Sequence, residues 1–229
     1  MVKIDLHIHS NSYSPCSRIS PDELAAMAPF TGLDGLVITE HNFQWTPSEK
    51  EELQEKLGGI KLYCAMEASV AEGHFLVIGA DLSPWDQSKT LADLAVLASE
   101  QEAALIWAHP GRFTPIPDNL SEREDFRAIH GIEVMSSNIK AKHREGIARV
   151  LEVLKKPTLA GSDSHSPLTL GTYATMFPTL PKDEKELAQM IKAPCGVPWA
   201  NRKALIPLNG KPGPEEEKML LTPPAPFRV

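Results

Sequence analysis

Short apolar and β-branched runs alternate along this chain with stretches of helical periodicity, which points to an α/β architecture. Strand-like runs fall at residues 2–7, 35–39, 60–66, 74–79, 104–108, 132–135 and 158–161. Ser20-Pro21-Asp22-Glu23 reads as a helix start, with Ser as cap, Pro as first helical residue and Glu closing a capping box. Thr46-Pro47-Ser48-Glu49 repeats that signature, and further helices are expected over 89–100, 121–129, 139–155 and 182–191. Seven strands with helices mostly between them fit a barrel or a doubly wound sheet, and both place their sites at the carboxyl ends of the strands. Only residues 68–73 separate Glu67 from His74. A parallel crossover needs about a dozen residues, so strands three and four should form an antiparallel hairpin.

Residues 1–206 read as one domain, and 207–229, with Lys211-Pro212-Gly213-Pro214 and Pro223-Pro224-Ala225-Pro226, as a Pro-rich tail. The chain opens on Met1-Val2-Lys3-Ile4-Asp5 and enters a strand directly, and no apolar stretch reaches spanning length. A cytoplasmic protein with no membrane partner is expected. Three well-separated cysteines without a CxxC pair argue against a disulfide framework or a thiolate zinc site. A formal charge of −7 argues against long nucleic acid as partner. Oligomeric state is not specified by any of these features.

The histidines change the picture. Asp5-Leu6-His7-Ile8-His9 ends the first strand, and strict alternation places Asp5, His7 and His9 on one face. Thr39-Glu40-His41-Asn42 ends the second strand, Glu67 the third and His109 the fifth; Asp163 and His165 follow the seventh. The hairpin returns His74 to the rim of Glu67, so six segments deliver imidazoles and carboxylates to one rim. That donor set, without thiolate, suits Zn²⁺, Mn²⁺ or Fe²⁺. Dications there would retain positive charge and polarise an anionic group such as phosphate.

Asp5-Leu6-His7-Ile8-His9-Ser10, Gly35-Leu36-Val37-Ile38-Thr39-Glu40-His41-Asn42, Glu67, His74, His109-Pro110-Gly111 and Gly161-Ser162-Asp163-Ser164-His165-Ser166 together resemble the polymerase and histidinol phosphatase (PHP) domain family, in the family's order. The resemblance implies a distorted seven-stranded β/α barrel, TIM-like, with two or three metal ions, and often phosphoesterase activity. It implies a first ion on His7, His9, Glu67 and Asp163. Glu67 would bridge to a second ion completed by His74 and His109. A third ion would use His41, His165 and a residue shortly after the HxH motif. Here Pro15 stands at that position, in Tyr13-Ser14-Pro15-Cys16-Ser17, and it has no ligating side-chain atom. The third position is therefore expected to be empty or weakly filled, with Cys16 as the competing ligand.

The expected activity is hydrolysis of a small phosphorylated substrate by a hydroxide bridging two ions. Hydrolysis of a cyclic amide or ester, or a nucleic-acid-processing role, is the alternative. His165, or else His41, would protonate the leaving group, and Arg112 and Arg18 would clamp the phosphate. Asp5 is read as fixing a histidine tautomer, Glu40 as either a partner orienting a ligand or a plain rim carboxylate, and Glu133 as a hydrogen-bonded barrel-layer residue. His130 is expected at the opposite end of the barrel, and His143 on a solvated helix face.

Overall fold

The computed structural model describes residues 1–201; the expected tail at 207–229 lies outside them. Among the described residues, nine strands form one sheet, β1 (Val2–Ile8), β2 (Gly35–His41), β3 (Lys61–Val70), β4 (Gly73–Ile78), β5 (Ala104–Ala108), β6 (Gly131–Met135), β7 (Thr158–Ala160), β8 (Tyr173–Phe177) and β9 (Val197–Ala200). Their order is β7-β6-β5-β4-β3-β2-β1-β8-β9. β4 runs antiparallel to β3, as the short connection required, and also antiparallel to β5. The helices are α1 (Pro21–Met27), α2 (Pro47–Lys56), α3 (Leu91–Glu100), α4 (Glu124–Arg127), α5 (Arg144–Leu154) and α6 (Glu184–Lys192).

The expectation of seven strands is corrected to nine. β8 pairs antiparallel with β1, and β9 with β8. β9 carries Pro198, which cannot donate to a ladder on two sides and so belongs on an edge. The sheet curls until its ends nearly meet. Thr175 of β8 accepts from Ala160 N–H of β7 and donates to its carbonyl, both at 2.9 Å. At the rim, His9 N–H donates to Ser164 O at 3.0 Å. Gly161 makes this approach possible: a Cβ there would lie 2.6 Å from His7 Cβ and 2.8 Å from His7 N. The result is a mixed α/β fold around a nearly closed, barrel-shaped sheet.

The helix expected at 121–129 shrinks to a 3-10 turn and the one-turn α4. α1 and α2 start at Ser20 and Thr46 with complete capping boxes. Ile8, Leu24, Leu36, Ile38 and Leu53 pack between the sheet and α1 and α2. Phe75, Leu94, Trp107, Phe126 and Val150 pack under α3, α4 and α5. Ile4, Leu6, Val37, Tyr63, Ile106 and Leu159 fill the barrel together with Leu187 and Ile191 of α6.

β1 does not keep strict alternation. Its register with β2 shifts between Asp5 and Ile8, so Ile4 joins the barrel interior whereas Ile8 joins the outer layer. That bulge separates Asp5 from the face of His7 and His9. Asp5 instead accepts backbone N–H bonds from Ser162 (2.7 Å), Gly171 (3.2 Å) and His7 (3.3 Å). The expectation that Asp5 orients an imidazole is thereby corrected; it ties β1 to the loop after β7.

Candidate metal centre

Glu67 lies within β3, three residues before its end rather than at it, and is fully buried. Five imidazoles surround its carboxylate. Oε1 lies 2.9 Å from His74 Nδ1, 2.9 Å from His109 Nε2 and 3.6 Å from His7 Nε2. Oε2 lies 2.8 Å from His41 Nδ1 and 3.3 Å from His9 Nε2. Asp163 Oδ1 is 3.6 Å from His7 Nε2 and 3.5 Å from His9 Nε2. His7, His9, His41, Glu67, His74, His109, Asp163 and His165 thus meet at one rim of the barrel.

Two of the candidate ligands occupy the left-handed backbone region where the chain leaves a strand: His109 at φ 29° and Asp163 at φ 49°. Such conformations cost of order 1–3 kcal/mol and persist where surrounding contacts hold them. His109 N–H is held by Glu133 Oε2 at 2.9 Å. Asn138 Nδ2 donates to both Asp163 Oδ2 (2.8 Å) and Asp163 O (3.1 Å). Neither Asn138 nor the pairing of Glu133 with two ligands follows from residue spacing.

Tautomers can be assigned from these partners. His7 Nδ1 donates to Glu133 Oε1 at 2.9 Å, leaving the Nε2 lone pair for the site. Ser14 gives its one proton to Glu40 at 2.5 Å, so its oxygen accepts from His41 N–H (3.1 Å) and from His9 Nδ1–H (3.3 Å). Glu40 also takes bonds from Ser10 and from Trp45 Nε1 (2.9 Å). Of the two roles open to Glu40, this geometry places it behind the ligands, acting on His9 through Ser14. His165 Nδ1 faces its acceptor Asp163 O at 3.1 Å, which leaves Nε2 free.

The residues fit a cation. With both Nδ1 atoms protonated, the Nε2 atoms of His7 and His9, 3.0 Å apart, face each other as lone pairs unless a proton or a metal ion lies between them. Glu67 Oε2 and Asp163 Oδ1 are buried and make no hydrogen bond despite the nitrogens near them. Converging lone pairs and bare carboxylate oxygens are costly unless positive charge joins them. The field has the required sign: burial opposes charge on His7, yet Asp163, Glu133 and Glu67 raise its pKa well above the ordinary value. The same histidine charge holds Glu67 and Asp163 far below the usual carboxylate range against their burial. Ligand atoms lie within 4.8 Å of one another in His7-His9-Glu67, in His41-Glu67-His74, in His7-His109-Glu133 and in His9-His41-His165.

The last group bears on the third position. Pro15 and Cys16 are exposed, and neither belongs to a candidate cluster among the described residues. Burial lowers the pKa of His165, which opposes its use as a proton donor at neutral pH. Arg112 Nη1 pairs with Asp163 Oδ2 at 2.6 Å, and its guanidinium stacks 4.4 Å over Phe113. Arg18 is exposed; its backbone N–H donates to His165 O at 2.9 Å, and its side chain makes no ion pair among the described residues. His130 stands at the start of β6, away from the rim, where its Nδ1 accepts from Leu105 N–H at 3.1 Å. His143 is a correction: it is buried, and its Nδ1 accepts from Lys140 N–H at 3.0 Å.

A PHP-associated family model matches residues 143–194. The structure superposes on a two-domain protein from Bacteroides vulgatus containing a predicted PHP-like metal-dependent phosphoesterase. The TM-score is 0.65 at 20% identity, over 87% of this chain and 65% of that one. The chain shares the fold of that protein. It thus spans just under two thirds of the length of that Bacteroides protein. The same fold extends to an amidohydrolase from Chromobacterium violaceum with bound sulfate and no metal (TM-score 0.60, 17% identity, 86% of this chain and 97% of that chain). It extends also to PfuEndoQ, a lesion-specific endonuclease from Pyrococcus furiosus (TM-score 0.58, 20% identity, 84% and 56%). No curated protein matches the sequence. Among the described residues, no helix is long and apolar enough to cross a membrane.

Proposed function

We propose that this protein is a metal-dependent phosphoesterase acting on a small phosphorylated substrate. The observation that carries the reading is Glu67, buried among five imidazoles with one oxygen left without a hydrogen bond. His7, His9, Glu67 and Asp163 would hold one divalent ion, and Glu67, His74 and His109 a second; Zn²⁺, Mn²⁺ and Fe²⁺ suit these donors. His41 and His165 would offer a third position with His9. Bound there, the ions would lower the pKa of water and draw charge from the phosphoryl oxygens.

The chain's own groups do the rest. Glu133 holds the Nδ1 proton of His7, and Ser14, itself held by Glu40, that of His9, so both rings present Nε2 inward. Arg112, a quarter exposed beside Asp163, can reach a phosphoryl oxygen without leaving the rim. Arg18, whose backbone N–H binds His165 O, would be a second cation for the same anion. Arg112 at the rim favours a phosphoester over the uncharged amide or ester of the alternative reading, although an amidohydrolase shares the fold.

The test is elemental analysis of purified protein with a panel of small phosphoesters, cyclic amides and carboxylic esters. At least one ion per chain and turnover confined to phosphoesters is expected. Glu67→Gln should abolish turnover and lower bound metal. Metal-free active protein, or turnover of amides alone, refutes the reading.

A further inference from the structure

Phe113 is 60% exposed, unusual for a large apolar side chain so close to a cluster of buried ionisable groups. Its ring centroid lies 4.8 Å from that of His74 and 5.6 Å, edge-on, from that of His109. Arg112 sits over the same ring. The segment carrying it is anchored on both sides. Before it, Arg112 N–H donates to His109 O at 3.2 Å. After it, Ile116 inserts between Gly111 and Gly146 of α5, where added Cβ atoms would lie 3.3 and 2.7 Å from its Cδ1. Arg149 of α5 then binds Pro117 O at 2.7 Å and Asp118 O at 3.0 Å. Phe113 is therefore a fixed apolar surface, ordered before any ligand arrives, so a ligand would lose little entropy in using it.

We propose that Phe113 selects phosphomonoesters whose alcohol carries an aromatic ring within two or three bonds of the ester oxygen. This rests on the phosphoesterase reading. A phosphoryl group bound near Glu67, His74 and His109 would lie beside Phe113, which packs on two of those three residues, so its organic group could rest on that ring. Aromatic pairs in offset or edge-to-face contact gain energy beyond the area they bury, so the surface discriminates a flat ring from a saturated one.

The experiment compares 2-phenylethyl, 2-cyclohexylethyl and ethyl phosphate, whose leaving alcohols have similar acidity, on the metal-loaded protein. Wild type should prefer the phenylethyl over the cyclohexylethyl ester by about two- to tenfold in kcat/KM, mainly through KM. Phe113→Ala should erase that preference, and Phe113→Trp should restore it. Equal values for the two ring esters in wild type, or a preference surviving Phe113→Ala, overturn the inference. Turnover of none of the three esters overturns the phosphoesterase reading, and this inference with it.

Discussion

Glu133→Gln isolates what lies behind the candidate ligands. Glu133 is 1% exposed; Oε1 takes the proton of His7 Nδ1 and Oε2 the N–H of His109, each at 2.9 Å. Glutamine has nearly the same shape but one acceptor oxygen, so one of two buried donors loses its partner. That costs about 1–3 kcal/mol, or roughly five- to 150-fold in an equilibrium. If His7 loses it, the proton is free to move to Nε2 and block the lone pair a metal needs. A second effect has the opposite sign. Glu133 is among the carboxylates that raise the proton affinity of His7, and its removal weakens the competing proton. The net loss of metal affinity should therefore be about tenfold, near the lower end for groups that orient metal ligands. A chelator-competition titration reads this directly, with urea unfolding of the metal-free protein in parallel. Metal affinity within twofold of wild type would refute the orienting role, leaving Glu133 an ordinary barrel-layer residue.

Arg112→Ala should lower kcat/KM for phosphoesters by roughly ten- to a hundredfold, the loss of a bond to a charged group, with metal content retained. Unaltered kinetics would make Arg112 only a partner of Asp163. Burial, followed by Lys192 and Lys156, lowers the pKa of His130 to about 4 from 6.5. The unfolded state then binds the proton first, so stability present above pH 6.5 is lost as pH falls toward 4. His130→Asn, which keeps an acceptor for Leu105 N–H, should flatten that part of the urea-midpoint profile; parallel profiles would refute it. Phe126→Ala should cost about 3–5 kcal/mol by urea unfolding, since its fully buried ring packs 4.5 Å from Trp107.

Elements with strong local signals were legible in the sequence. The capping boxes at Ser20 and Thr46 and the apolar runs of β1 to β7 each pointed to one structure. The hairpin was legible for a different reason, since chain length between Glu67 and His74 excluded a parallel connection. β8 and β9 were not. Tyr173-Ala174-Thr175-Met176-Phe177 has no strict alternation, and Pro198 speaks against a strand within the sheet. Both are strands because the curled sheet needs a partner for the free edge of β1, a tertiary demand that no local pattern carries.

The candidate site divides along the same line. Imidazoles and carboxylates beyond apolar runs are visible because their residue types are rare there. Their supports are common residues whose role depends on where a loop closes. Ser14 matters because it is one hydroxyl from Glu40, His9 and the backbone of His41, and Asn138 because the loop after β6 brings it to Asp163. Asp5 shows the converse. Alternation placed it beside His7, and one bulge moved it to the backbone amides of Ser162 and Gly171. The bulge itself follows from the site. β1 must direct Ile4 and His9 into the barrel while Ile8 packs outward, and no unbroken strand can place residues four and five apart in that way. Removing the irregularity would return Asp5 to the inner face, adding an unpaired carboxylate among groups already held against their burial.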